Sequence, residues 1–186
     1  MMSSRLNAAI VTDMRSGAVF GFLAWACFQP FAWAASPGCS GGRAQALDFW
    51  IGHWRVVDAA GIEVGRNQAE KVLAGCAVIE HWRASDGSQG KSLFFYNADN
   101  QLWRQVWVTE DTRPAGGLKE KTLVSPASEV ALRFQGLLQS ASQAVILDRT
   151  TLTPLADGRV QQTIEISRDG GRSWQTVFDA FYQREP

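Results

Sequence analysis

The chain has 186 residues, 18 basic and 18 acidic side chains, and 46% hydrophobic residues. This length and composition are typical of a protein with one globular domain. The balanced charge provides no bulk electrostatic attraction to nucleic acid or to an anionic membrane.

The first 34 residues have the pattern of a secretory signal peptide. The stretch GAVFGFLAWACFQPFAWA at 17–34 follows Arg15, carries no charge and ends in Ala-Trp-Ala. A basic start, a short apolar centre and a small-x-small exit are the features of such a signal. We therefore expect residues 1–34 to be removed near Ala34 and the mature chain to be periplasmic or secreted.

Two other interpretations of this stretch fit less well. A membrane anchor needs about 20 uninterrupted apolar residues, and Gln29 and Pro30 interrupt the run. A lipoprotein would be cleaved at Cys27, but Trp25 is too bulky for the usual cleavage motif. Removal of residues 1–34 leaves 16 basic and 17 acidic side chains. We expect no membrane attachment after cleavage and no nucleic-acid partner.

Two cysteines remain in the mature chain, Cys39 and Cys76, and their even number suits an oxidising compartment. A bridge between them would tie down the Ser/Gly-rich segment at 35–45 and stabilise the fold by about 3.5 to 4 kcal/mol. Two unpaired buried thiols are the alternative. No metal site is expected, because the chain lacks a CxxC pair and its two histidines, His53 and His81, are far apart in sequence.

After Gly42 the chain is a succession of short alternating segments. WRVVDAAGIEVG at 54–65 is typical of two strands joined by a glycine turn. The stretch at 76–111 predicts three more strands, separated by the turn sequences SDGS and NADN. Only RAQALDFWI at 43–51 fits a short helical turn. Further strands are expected at about 116–123, 129–136, 144–154, 159–167 and 173–184.

About ten short antiparallel strands in hairpin order favour an all-β fold, a single closed up-and-down barrel over 46–186. A sandwich is the alternative, but sandwiches use Greek-key crossovers and longer connections. We therefore expect one domain without a linker.

The turn sequence SRDGGRSW at 167–174 is similar to the Asp-box of sialidases and related propellers. In such a turn Asp169 accepts backbone N–H groups and Trp174 packs under the loop. A propeller repeats this motif in several blades, whereas this chain has it once. We therefore interpret the motif as a stable structural turn.

The stretch DFWIGHW at 48–54 resembles the G-x-W start of lipocalins and the wider calycin superfamily. That resemblance implies a turn that plugs one barrel end, with Gly52 allowing close passage of the chain and Trp54 at the floor. It also implies that Arg184 packs over the indole in a cation–π contact worth about 0.5 to 2 kcal/mol. With GCAVIEHW, GKSLFFY, LWRQVWV, SRDGGRSW and the terminal FYQR, the chain resembles a family of secreted bacterial lipocalin-like proteins to which no reaction is assigned.

Alternate residues of a strand share one face, so the strands at 76–111 predict what lines the barrel. If these faces point inward, aromatic rings surround a few polar groups, as in small-molecule pockets. A filled aromatic core, with Glu80 and Gln105 bonded to each other or to the backbone, is the alternative. A single bulge would reverse the faces. The candidate ligand-binding residues are Glu80, Trp82, Phe94, Tyr96, Trp103, Gln105 and Trp107.

These features favour an exported protein that binds a small apolar or amphipathic ligand. The alternatives are a structural barrel without a ligand and an enzyme in which burial raises the pKa of Glu80 for acid/base work. No Ser-His-Asp or Cys-His set is available, so we assign no catalytic residue. Haem-binding barrels of similar build use a late histidine, and none follows His81, so we expect no cofactor. The sequence does not specify an oligomeric state.

Overall fold

A computed structural model describes residues 38–111, 117–126, 129–139 and 145–186, and the expected signal peptide lies outside these ranges. Each strand pairs antiparallel with its neighbours in the chain, and β1 pairs with β10 to close the barrel. The predicted up-and-down barrel is confirmed. No helix in the described ranges has the length and hydrophobicity needed to cross a bilayer. The strands are β1 Gly52–Val57, β2 Glu63–Val72, β3 Ala77–Ala84, β4 Gln89–Asn97, β5 Leu102–Thr109, β6 Leu118–Leu123, β7 Leu132–Gln139, β8 Val145–Pro154, β9 Val160–Ser167 and β10 Gln175–Arg184.

Side-chain acceptors fix the tight hairpin turns. Between β3 and β4, Asp86 Oδ1 accepts the backbone N–H of Ser88 at 2.9 Å, and Gly87 adopts a φ of 89°. Between β4 and β5, Asn97 Oδ1 accepts the N–H of Asp99 at 2.9 Å. These Asx turns are the reason the SDGS and NADN sequences end one strand and start the next.

Strand β7 begins three residues later than the sequence predicts. The N–H of Glu129 donates to the carbonyl of Pro126 at 3.1 Å, so the chain is still in a turn there. Val130 is exposed, and the buried alternation starts only at Leu132. The apolar residues that suggested an earlier start belong to this turn.

The helical turn predicted at 43–51 consists of two 3₁₀ helices, Gly42–Gln45 and Asp48–Trp50. Leu47 and Trp50 have no exposed surface and belong to the main apolar cluster of the barrel. The 3₁₀ form suits such short pieces, since it needs only i to i+3 hydrogen bonds. These turns therefore pack into one end of the lumen.

The predicted disulfide between Cys39 and Cys76 is confirmed. The N–H of Cys39 also donates to the carbonyl of Ala74 at 3.1 Å, in the short 3₁₀ turn before β3. A Cβ at Gly38 would lie 2.6 Å from that carbonyl oxygen, so only glycine fits there. The bridge thus holds the start of the described chain against the β2–β3 connection.

Trp54 forms the barrel floor and has no exposed surface. Its indole N–H donates to the carbonyl of Trp50 at 3.0 Å, and the two rings stack with centroids 5.8 Å apart. The Arg184 guanidinium lies 4.4 Å from the centroid of the Trp54 ring and donates to the carbonyl of Ile51 at 2.8 Å. A Cβ at Gly52 would lie 2.4 Å from that guanidinium, which explains the glycine.

Apolar side chains from nearly every strand pack on this floor. The cluster joins the N-terminal turns to inward residues of the strands, so the core fills the plugged end of the lumen. Its largest fully buried members are Trp50, Trp54, Trp103, Tyr182, Phe94, Phe134, Leu47 and Leu152.

The turn at 167–174 has the predicted local bonding. Asp169 accepts the backbone N–H of Ser173 at 2.9 Å, and its other oxygen accepts the Ser173 hydroxyl at 2.6 Å. These bonds from Ser173 lower the pKa of Asp169 to about 2. The Trp174 indole donates to the carbonyl of Gly171 at 3.1 Å, and the Arg149 guanidinium lies 3.8 Å from the centroid of that ring.

Replacement of Trp54 tests the floor. We expect Trp54→Ala to lower the free energy of unfolding by about 3 to 5 kcal/mol, as truncation of a large buried side chain does. Arg184→Ala should cost about 0.5 to 2 kcal/mol, because it removes mainly a cation–π contact. Arg83→Ala, an exposed control, should change stability by less than about 0.5 kcal/mol in the same denaturant titration. An unchanged stability in Trp54→Ala would contradict the plug.

Candidate functional site

Strands β3, β4 and β5 keep a continuous alternation, because no register shift interrupts their pairing. On β3 the side chains of Val78 and Glu80 are buried, while His81 lies outside and pairs with Glu70 at 3.6 Å. The register irregularities of the sheet lie elsewhere, in β1 and β10. The inward face of this hairpin pair is therefore the one that contains Glu80.

A cavity of about 190 Å³ occupies the lumen beyond the aromatic floor. Tyr182 contributes both to the apolar cluster below and to the wall of this cavity. The wall mixes aromatic rings with charged and amide side chains, a composition found in small-molecule sites. The lining residues are Glu80, Trp82, Gln105, Trp107, Lys119, Lys121, Thr150, Gln162, Ile164, Phe178 and Tyr182.

The structure brings together four of the seven candidate ligand-binding residues on the cavity wall: Glu80, Trp82, Gln105 and Trp107. The other three are not part of that wall and pack in or against the core below it. Phe94 contacts Phe134 with ring centroids 5.4 Å apart, and Tyr96 contacts Trp103 at 5.5 Å. The indole N–H of Trp103 donates to the carbonyl of Arg43 at 2.7 Å, which ties the first 3₁₀ turn to the floor.

Two glycines explain why the cavity tryptophans leave the lumen open. A Cβ on Gly65 would lie 2.5 Å from the Trp82 ring, and a Cβ on Gly90 would lie 2.3 Å from the Trp107 ring. Each indole therefore occupies the space that a side chain would take at a glycine on the adjacent strand. Glycine inside a strand often marks such a close approach. The rings form the wall of the cavity and do not fill it.

Glu80 is the buried carboxyl group of the cavity, with 3% of its surface exposed. Burial raises its pKa to about 7, and hydrogen bonds from Ser92 and Asn67 and the charge of Lys121 offset part of that rise. With its amide nitrogen turned inward, Asn67 donates to Glu80 Oε1 at 3.2 Å and to the carbonyl of His81 at 3.1 Å. Glu80 therefore changes its protonation state near neutral pH.

The side-chain amide of Gln105 is only partly hydrogen-bonded among the described residues. Its Nε2 donates to the Ser92 hydroxyl at 3.0 Å. Its Oε1 is buried and has no hydrogen-bond partner among the described residues. A buried acceptor without a donor costs about 1 to 3 kcal/mol. A ligand or water with an N–H or O–H group would remove that cost.

Two lysines of β6 meet one aspartate of β8. The Lys121 ammonium group donates to Asp148 Oδ1 at 2.7 Å and to the Thr150 hydroxyl at 2.6 Å. The Lys119 ammonium nitrogen lies 3.1 Å from Asp148 Oδ2. Burial lowers the pKa of Lys121 to about 8, although the charge of Asp148 partly opposes this. Asp148 itself is completely buried.

The late strands complete the wall. The Tyr182 hydroxyl donates to Gln162 Oε1 in a short hydrogen bond, and burial raises the pKa of Tyr182 well above its usual value, with the Glu80 charge adding to the effect. Phe178 contacts Trp82 edge to face, with centroids 6.1 Å apart. Phe178 and Trp82 are only half-buried, so this part of the wall reaches the surface.

Sequence reasoning missed every wall residue after β5. Lys119 and Lys121 share a face with the buried Leu123, and Asp148 shares one with the buried Leu152. Charged residues in phase with buried apolar ones are a usable signal for a polar lumen. That signal is ambiguous here because Leu118, on the opposite face of β6, is also apolar and proves to be exposed.

A second, larger concavity of about 450 Å³ lies beside the N-terminal turns and includes Arg43, Phe49 and Leu132. The guanidinium group of Arg43 in this concavity already donates a hydrogen bond to the carbonyl of Ser125 at 3.3 Å. Among the described residues no group of three or more His, Cys, Asp or Glu side chains is placed to hold a metal ion. The first cavity is the better candidate, because it contains the buried charges and the unpaired acceptor.

No family model matches the chain, and a search of curated proteins finds no relative of it.

The raised pKa of Glu80 predicts how stability depends on pH. The unfolded chain releases this proton near the ordinary carboxyl pKa of 4.5, whereas burial raises the pKa of Glu80 to about 7 in the folded protein. Between these values the folded state binds more protons, so the free energy of unfolding should fall by about 1.4 kcal/mol per pH unit. We expect a total loss of about 3 kcal/mol between about pH 4.5 and pH 7, measured by urea unfolding.

The other shifted pKa values affect stability outside this window. The lowered pKa of Lys121 matters between about pH 8 and its ordinary pKa of 10.5. The lowered carboxyl pKa values matter below about pH 4.5; they belong to Glu63, Asp86, Asp157, Glu165 and Asp169. Glu80→Gln should therefore flatten the profile between about pH 5 and pH 7. A fall of the same slope in that variant would show that Glu80 is not its source.

Proposed function

We propose that this chain is an exported, lipocalin-like binding protein that holds one small, partly apolar ligand in the barrel cavity. The observation that carries the proposal is a cavity walled by indole and phenyl rings and by the Gln105 amide, whose buried Oε1 has no hydrogen-bond partner among the described residues. A sealed structural core would gain stability by replacing that amide with an apolar side chain. The presence of a glutamine at this position is explained if a ligand supplies the hydrogen-bond donor that Gln105 Oε1 lacks among the described residues.

The dimensions of the cavity limit the ligand to a small molecule. A cavity of about 150 Å³ in another protein is sufficient for benzene, and sites for drug-sized molecules start at about 300 Å³. The cavity of about 190 Å³ therefore suits one ring with a short substituent. Trp82 and Trp107, packed over Gly65 and Gly90, line the cavity and offer aromatic surface to such a ligand.

The disulfide between Cys39 and Cys76 supports export, because such bridges persist in oxidising compartments. The signal pattern of residues 1–34 agrees with this location. We propose that the mature protein begins near Ala35 and acts in the periplasm or outside the cell.

Catalysis is a second candidate, favoured by one observation. Glu80 lines the cavity and has a pKa of about 7, which suits a general acid or base at neutral pH. An enzyme would convert its ligand, whereas a binding protein would release it unchanged. Mass spectrometry of a bound compound recovered after incubation separates these two functions.

Filling the cavity tests the binding function. Ile164 lies on the cavity wall, so Ile164→Trp should occupy the ligand volume with an indole. Leu137 lies on the outside of β7 with 64% of its surface exposed, and Leu137→Trp is the matched control. Calorimetric titration with 4-methylphenol, which has one ring and one O–H donor, should show binding to the wild type and to the control. Ile164→Trp should bind at least about tenfold more weakly.

Native mass spectrometry of protein exported and purified without refolding provides a second readout. We expect a polypeptide mass that starts near Ala35, together with a small-molecule adduct that Ile164→Trp lacks. If the wild type has no adduct and binds 4-methylphenol no better than Ile164→Trp does, the cavity is not a ligand site.

A further inference from the structure

The charges around the cavity do not balance when Glu80 is neutral. Lys119 and Lys121 bring two ammonium groups to the wall, and both pair with the single carboxylate of Asp148. Asp148 lies outside the cavity lining, and the carboxyl group on the wall belongs to Glu80, which burial favours in its neutral form. These four groups then have an excess of one positive charge, and a partly buried charge without a counter-charge is costly.

We propose that the ligand of this cavity is a small aromatic acid, whose carboxylate supplies the missing negative charge next to Lys119 and Lys121. This inference rests on the proposed binding function and names the chemical class of the ligand. Lys119 is the accessible member of the pair, since 22% of its side chain is exposed while that of Lys121 is 3% exposed. Lys119 is therefore the first ammonium group that an entering anion contacts. Lys121, which is more deeply buried, adds to the positive potential there.

The register places the ring-binding and anion-binding groups side by side. Lys119 pairs with Trp107 across β5 and β6, and Lys121 pairs with Gln105 in the same ladder. Directly paired residues of adjacent strands have their side chains about 5 Å apart. A ring lying against the Trp107 indole therefore has its substituent within reach of the Lys119 ammonium group.

Binding of an anion and ionisation of Glu80 compete for the same positive charge. The groups facing Glu80 are Asn67 of β2, Ser92 of β4, Lys121 of β6 and Tyr182 of β10, and its charge interacts with the last two. Asp148 pairs with both ammonium groups, with Lys121 at 2.7 Å and with Lys119 at 3.1 Å.

Between about pH 5.5 and pH 7.5 the main change is the ionisation of Glu80, whose pKa is about 7, because Lys121 with a pKa of about 8 stays mostly protonated and the pKa of Tyr182 is raised well above its usual value. The bound carboxylate should raise the affinity of Glu80 for its proton, and affinity for the anion should fall as Glu80 ionises.

Three probes that share one ring test the charge preference: phenylacetate, phenylacetamide and 2-phenylethylammonium. Calorimetric titration at about pH 5.5 should show phenylacetate binding about tenfold or more tightly than the neutral amide, as a hydrogen bond to a charged group predicts. The ammonium compound should bind more weakly than the amide. At about pH 7.5 the phenylacetate affinity should drop about fourfold, because about three-quarters of Glu80 is ionised there.

Three variants test which residues cause the preference for phenylacetate and its dependence on pH. Lys119→Gln should remove most of the preference for phenylacetate over phenylacetamide. Lys91→Gln, which removes the same charge from the exposed face of β4, should keep that preference. Glu80→Gln should bind phenylacetate at about pH 7.5 as tightly as the wild type does at about pH 5.5.

The outcomes separate this inference from the proposed function. Binding of phenylacetamide or 2-phenylethylammonium at least as tight as that of phenylacetate would overturn the aromatic-acid assignment while leaving a binding cavity. The same conclusion follows if Lys119→Gln and Lys91→Gln behave alike. If none of the three probes binds, and 4-methylphenol also fails, both the assignment and the binding function are wrong.

Discussion

The number of strands is the constraint on which the rest of this structure depends. Eight strands enclose a lumen that side chains can just fill or that holds one small ligand, and the diameter grows with strand number. Ten strands therefore leave space that one layer of side chains does not fill. At one end the chain fills this space with two 3₁₀ turns and the indoles of Trp50 and Trp54. At the other end the space remains as the cavity.

The open part of the lumen is stabilised differently from the floor. Trp82 and Trp107 cover Gly65 and Gly90, so large rings occupy the wall at little cost in lumen volume. Buried ionisable side chains at Glu80, Lys121 and Asp148 replace the apolar packing that a purely structural barrel would use. Such groups seldom improve stability over apolar residues of the same volume. Their presence connects the unfilled space to a chemical role.

The sequence predicts the barrel because its local signals agree with one another. Asp86 and Asn97 mark turns by their ability to accept backbone N–H groups. The alternation groups the residues that share a face with Glu80, and the burial of Glu80 in the structure shows that this face is the inward one. The bridge from Cys39 is predicted from the even number of cysteines and from the signal pattern of residues 1–34. These features depend on residues near each other in the chain or on simple counting.

Depth along the lumen could not be predicted in the same way. Phe94, Trp103 and Gln105 all point inward, but only Gln105 reaches the cavity wall. Alternation defines the face of a residue, whereas its depth depends on the stagger between strands, which the whole closed sheet determines. The meeting of Lys121 and Asp148, from β6 and β8, has the same origin.

The proposed function requires that a ligand can occupy the lumen between the indoles and the lysines. A crystal structure of the protein, soaked with phenylacetate at about pH 5.5, tests this most directly. We predict one planar density against the Trp107 ring, with a carboxylate within hydrogen-bond distance of Lys119, and with Trp82 and Trp107 still packed over their glycines. Ordered water alone in the cavity, or an indole turned inward to fill it, would contradict the binding function.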